Sequence, residues 1–186
     1  MDANTVSSNV SVLDLICKDK YAEANNHKRA RDEFNKESKN WINTRNTNSE
    51  RAKELSKKAA EAKAERDACN EKVRELKALR DQMHAKAAEL KENGGEGYED
   101  AKAEGNRYHD EMTVYASKGQ LAHQLMVQCY EDADVARKLS DIAHRKSIEC
   151  REAANNEHEA FVNTLKELEE LRNDPFGAIE SLEDDA

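Results

Sequence analysis

Apolar and small residues recur along this chain at alternating steps of three and four, with two interruptions. Counting sevens from Phe34 gives Phe34, Trp41, Asn48, Leu55, Ala62, Cys69, Leu76, Met83 and Leu90. A companion row holds Ser38, Arg45, Ala52, Ala59, Arg66, Val73, Arg80 and Ala87. A second pair of rows opens at Tyr98 and Ala101, runs through Met112, Ala122, Met126, Cys129, Ala136 and Ala143, and ends at Leu168 and Leu171. Spacing of this kind over many heptads predicts coiled-coil helices. The first interruption, Glu92-Asn93-Gly94-Gly95-Glu96-Gly97, collects helix-stopping residues. The second is Asn173-Asp174-Pro175, where the proline disfavours helix at the residue before it. The expected organisation is a flexible N-terminus over 1–17, a coiled-coil hairpin over 18–172, and an acidic tail over 173–186. Within the hairpin, arm 1 covers 18–91, the loop 92–97 and arm 2 98–172. The fold class is all-α: a long antiparallel two-helix coiled-coil hairpin.

The first seam supplies Phe, Trp, Leu, Met and Arg, and the second is dominated by Ala, Ser, Gly and Cys. Large residues facing small ones let two helices approach closely. Folding about the glycine loop pairs residues whose numbers total about 191, so that Leu55 faces Ala136, Ala62 faces Cys129 and Trp41 faces Cys150. A total of about 198 also matches large with small, and would bring Cys69 opposite Cys129. The first is preferred because short connections are commoner. Arg45, Arg66 and Arg80, with Asn48, are polar intruders in the seam that would set its register. Their stems are expected to lie over small residues while the guanidinium groups reach acids across the groove.

Arm 2 has more apolar surface than one seam uses. Writing its seam as positions a and d, Leu121, Val135 and Ile142 occupy c, and Leu125 and Leu139 occupy g. These columns lie beside d and widen the apolar arc to about 160°. The matching columns of arm 1 are mostly Glu, Lys, Thr and Arg, so it cannot cover that stripe. The five aliphatics are therefore an interaction surface, taken either by a second copy, giving an antiparallel four-helix core, or by an unknown protein partner. The second copy is preferred.

Composition supports helices and argues against a thick core. Of 186 residues, 37% are charged and 37% apolar, with one proline, and mean hydropathy is −1.05. No run approaches the ~18 apolar residues of a membrane span, and the first ten residues do not read as a secretory signal. A cytoplasmic protein is expected. The net charge of −9 is unevenly spread. Residues 18–92 carry 20 Lys and Arg against 15 Asp and Glu, whereas residues 93–172 carry 10 against 17. A uniformly basic nucleic-acid binder is excluded by these numbers, and opposite signs favour packing of the two arms on each other.

Short units repeat in both arms. Arg31-Asp32-Glu33-Phe34-Asn35 returns as Arg66-Asp67-Ala68-Cys69-Asn70, and Arg80-Asp81 begins a third copy. Arm 2 carries Ala122-His123, Ala143-His144 and His158-Glu159-Ala160-Phe161-Val162. Over roughly 28–172 the chain resembles a family of archaeal coiled-coil proteins with R-D-x-x-N and A-H repeat units. The resemblance implies a long helical hairpin and no firmly assigned activity. Some relatives carry a phosphoserine phosphatase label, but the D-x-D-x-(T/V) nucleophile motif of that chemistry is missing here.

Candidate chemistry is sparse. His109, His123, His144 and His158 share column e of arm 2, and His84 has the same position in arm 1. Their spacing of 14, 21 and 14 residues along arm 2 means steps of about 21–32 Å, too far apart for ligands that must lie within about 2.1 Å of one ion. Cys17, Cys69, Cys129 and Cys150 form no C-x-x-C pair and are expected as thiols. Neither phosphate-binding glycine loops nor hydrolase motifs occur. The expectation is a non-enzymatic scaffold or docking arm with no cofactor, metal, small-molecule substrate or membrane partner. The alternative is a ribosome- or RNA-associated factor that uses Lys28, Arg29, Arg31, Lys57 and Lys58 of the net-basic arm for phosphate contacts.

Overall fold

A computed structural model describes residues 3–174, with side-chain environments from residue 12 onward. It contains two helices, α1 (Ala3–Glu92) and α2 (Tyr98–Asn173), packed against each other as a helical hairpin, with no strand among the described residues. The helix boundaries at the loop match the sequence signal. Gly94 takes the left-handed conformation at φ 62°, and the Gly95 amide donates back to the Leu90 carbonyl at 2.9 Å. That bond closes α1 as a Schellman cap. Gly97, at φ 94°, gives its carbonyl to the Ala101 amide and so starts α2. Lys91 in the last turn of α1 and Glu99 and Asp100 in the first turn of α2 complement the helix dipoles.

One boundary differs from the sequence reading. Helix α1 begins at Ala3 and takes in most of the segment expected to be a flexible N-terminus. Neither proline nor glycine occurs between residues 3 and 17, so no local signal stops the helix there. Of the acidic tail, only Asn173, which closes α2, and Asp174 lie among the described residues.

Two compact units divide the chain. The first combines residues up to Asn46 with those from Ser140. Its seam buries Ala24, Ser38, Ala143, Ser147, Cys150, Ala154, Thr164, Leu168 and Leu171. Two serine hydroxyls cross it to backbone carbonyls: Ser38 Oγ donates to Ser147 at 3.0 Å, and Ser140 Oγ to Arg45 at 3.2 Å. Only short side chains allow backbones to come so close. The second unit, Thr47–Leu139, buries Ala52, Ala59, Ala62, Cys69, Leu76, Ala87, Ala101, Ala122, Cys129, Ala133 and Ala136. There Gly119 lies against Cys69, and a Cβ added to it would sit 3.3 Å from the Cys69 Cβ.

The cross-helix contacts narrow the register. The Ser38–Ser147 and Arg45–Ser140 pairs total 185 in residue number, Cys69 with Gly119 totals 188, and the longer reaches of Arg66 to Met126 and Arg137 to Ser56 total 192 and 193. They lie around the expected 191 and short of 198. Cys69 faces Gly119, not Cys129, and the four cysteines are free. The size rule is also revised. Both helices meet through small residues, while Phe34, Trp41, Leu55, Met83 and Leu90 are only half-buried at the seam's edge. With just two helices, few large side chains are enclosed, Leu76, Leu168 and Leu171 among them, and alanine is what mostly fits between the two.

Candidate interaction surface

The seam arginines are positioned by their own neighbours. Arg31, Arg66 and Arg80 each bring Nη2 within 2.6–2.7 Å of Oδ1 of the following residue, Asp32, Asp67 and Asp81. In all three, Nε donates to the same oxygen. Arg45 repeats the arrangement with Asn46. The anchored stems lie along the seam: the Arg31 guanidinium stacks over Phe161 at 5.8 Å, and Arg66 Nη1 reaches Met126 Sδ at 3.6 Å. The sequence reading laid these stems over small residues, whereas the contacts of Arg31 and Arg66 are to Phe161 and Met126. Their acidic partner, however, is the next residue of the same helix, not one across the groove, and this is the physical content of the repeated R-D pair. Asn48 is half-buried at the seam.

Arg31 is accordingly engaged at the seam, three-quarters covered, and not held out for a phosphate. Of the other basic residues, Arg29 donates to Asn26 at 3.3 Å and Lys57 lies 4.0 Å from Glu61. Lys28, Arg29, Lys57 and Lys58 are exposed. Lys28, Arg29 and Arg31 belong to the first unit, Lys57 and Lys58 to the second.

A contact that sequence reasoning missed joins His27 to Glu157, 2.7 Å apart across the first unit. His27 lies on the Phe34 row and Glu157 on the Ala143 row, so both seams hold them, but only the three-dimensional register shows that they pair. Near the loop, His84 and His109 line one shallow groove with Arg80, Asp81 and Asn106. Among the described residues, no three His, Cys, Asp or Glu side chains are arranged to hold a metal ion.

The α2 stripe is where the structure leaves the most apolar surface in water. Leu121, Leu125, Val135 and Leu139 of the second unit are 66, 52, 55 and 43% exposed, and Ile142 of the first is 44% exposed. Val114, one heptad before Leu121 in the same column, is exposed as well and extends the stripe. It was visible in the sequence once column c had been drawn. On the opposite flank of α2, Val127, Tyr130, Ile148 and Leu165 are also exposed, but as scattered positions. Single exposed apolar residues are ordinary, whereas an aligned row is not.

These features define an all-α helical hairpin with an exposed apolar row on its second helix. The chain belongs to a family of unknown function, DUF7121, whose model matches residues 18–96 and 92–180. No match is found among curated proteins or solved structures. Among the described residues, no helix is long and apolar enough to cross a membrane.

Proposed function

We propose that this protein is a non-catalytic coiled-coil docking module, with the α2 row of Leu121, Leu125, Val135 and Leu139 as its contact surface. The observation that carries this reading is the exposure of four aligned aliphatics in one unit. Left in water, each forgoes on the order of 1.5–3 kcal/mol relative to burial. A helix that presents such a row is suited to lie against another helix. In this reading the protein acts in the cytoplasm without cofactor or substrate, and its archaeal-type relatives share the R-D and A-H units as hairpin-building repeats.

The test compares native-lysate capture by the wild type and by Leu125→Glu with Leu139→Glu, each with and without nuclease. Proteins retained by the wild type after nuclease treatment and lost with the double variant support docking through the stripe. Capture that survives the two glutamates, or that disappears with nuclease alone, overturns it. The second outcome would favour an RNA contact through Lys28, Arg29, Lys57 and Lys58.

A further inference from the structure

We propose that the occupant of this stripe is a second copy of the same chain, with its α2 antiparallel to the first and a two-fold axis passing close to residue 130. This rests on the docking reading above and specifies its partner. An isologous interface requires a surface complementary to itself under rotation. Between residues 121 and 139 the stripe meets that condition in its order of residues; beyond them Ile142 and Val114 fall opposite Lys118 and Lys146 of the second copy. Read forward from residue 121 it is Leu121, Leu125, Gln128, Asp132, Val135, Leu139; read backward, leucine again comes first, an aliphatic second, and two polar residues stand in the middle. In an antiparallel pair whose residue numbers total 260, Leu121 meets Leu139 of the second copy and Leu125 meets its Val135. The two polar positions, which would otherwise break the stripe, then face each other. The Gln128 amide can donate to the Asp132 carboxylate of the second copy, twice over by symmetry. A polar pair at the centre of an apolar interface is a device that fixes register.

Helix α1 adds charge complementarity. The Cys69–Gly119 contact sets residue 58 of α1 level with residue 130 of α2. The same two-fold therefore brings Arg51 of one copy opposite Glu65 of the other on either side of the axis, where Lys58 meets its own copy in either orientation, and all three side chains are exposed in the single chain. A parallel in-register pairing would instead stack Asp132 on Asp132 and Glu65 on Glu65, which like charges oppose.

The test uses the unmodified protein. Light scattering at about 50 µM gives a mass near twice the 21.1 kDa of the chain if it pairs. A mixture of isotope-labelled and unlabelled protein is then treated with a short amine cross-linker and digested for mass spectrometry. Lys118 and Lys138 lie about 30 Å apart along one helix, but in the antiparallel pair Lys118 of one copy is level with residue 142 of the other, within about 6 Å of its Lys138 along the axis. Links between a labelled Lys118 and an unlabelled Lys138 are the expected result, together with loss of the dimer in Leu125→Glu with Leu139→Glu. Links of Lys118 to Lys118 and Lys138 to Lys138 mean parallel pairing and overturn the inference while leaving the docking reading in place. A dimer that survives both glutamates overturns the inference and contradicts the stripe as contact surface. A monomer at 50 µM overturns self-pairing, and the lysate comparison then decides the docking reading alone.

Discussion

Single residues decide the two ends of the loop and the chemistry of the seam. Gly94 stands at φ 62° with nothing within 4 Å of where a Cβ would be, so a side chain there meets only backbone strain. Gly94→Ala should cost about 1 kcal/mol and Gly94→Asn less, because asparagine tolerates the left-handed region. Denaturant midpoints of the two variants check this, and an alanine variant as stable as wild type would contradict the cap. Burial pushes the Cys150 thiol above its usual value of 9.0, with Glu37 and Glu149 nearby adding in the same direction. Its carboxylate-rich surroundings and apolar seam both disfavour the thiolate. A raised pKa means that the folded state holds the proton more tightly than the unfolded one. The contribution is therefore complete below pH 9 and lost as pH rises beyond it. Lys20, raised by its hydrogen bonds to Glu167 and Glu23, acts in the same direction above 10.5. Thermal melts should show a stability loss as pH rises above 9 that is smaller in Cys150→Ala; an identical loss in both would remove the thiol as its source.

At the scale of the elements, helix type and the loop between the helices were legible because the 3-4 spacing has one interpretation and the glycines cluster, whereas the start of α1 carries no stop signal. The register was not legible, because a seam of alanine and serine offers nearly the same small surface at every heptad. What selects it are contacts that only the folded pair reveals: serine hydroxyls reaching carbonyls, and Gly119 admitting Cys69. The R-D pair was visible as a repeat, yet its meaning as an arginine anchored by the next residue needed coordinates. The exposure of the α2 stripe was legible because its residues could be assigned to columns that arm 1 has no apolar surface to cover. Gly105 offers a test of how the helices fit. It lies inside α2, where glycine costs about 0.5–1 kcal/mol relative to alanine. A Cβ there would come within 2.9 Å of the His84 ring, the far end of an exposed side chain. The ring can swing outward, so Gly105→Ala should raise stability by about 0.5–1 kcal/mol. A destabilised variant would mean that the imidazole is held where it is and that the groove with His109 is rigid.

For the whole molecule, the relevant quantity is how much of its stability comes from association. The buried residues of both units are mostly alanine, serine and cysteine, so each contributes little apolar area, while the aliphatics of the α2 stripe stay exposed. In the proposed dimer the stripe is buried against a second copy, and the stability this adds grows with protein concentration by mass action. A tenfold increase adds about 1.4 kcal/mol per dimer, which should raise the melting temperature of an assembly of this size by about 2 °C. Leu125→Glu with Leu139→Glu should melt at a temperature that does not change with concentration. At 20 °C its helical circular dichroism should still match that of wild type, because both positions are outside the buried seam. Loss of helix content in the variant would instead mean that the stripe supports the hairpin itself. A wild-type melting temperature that is flat from about 5 to 500 µM would mean that the hairpin stands without a second copy.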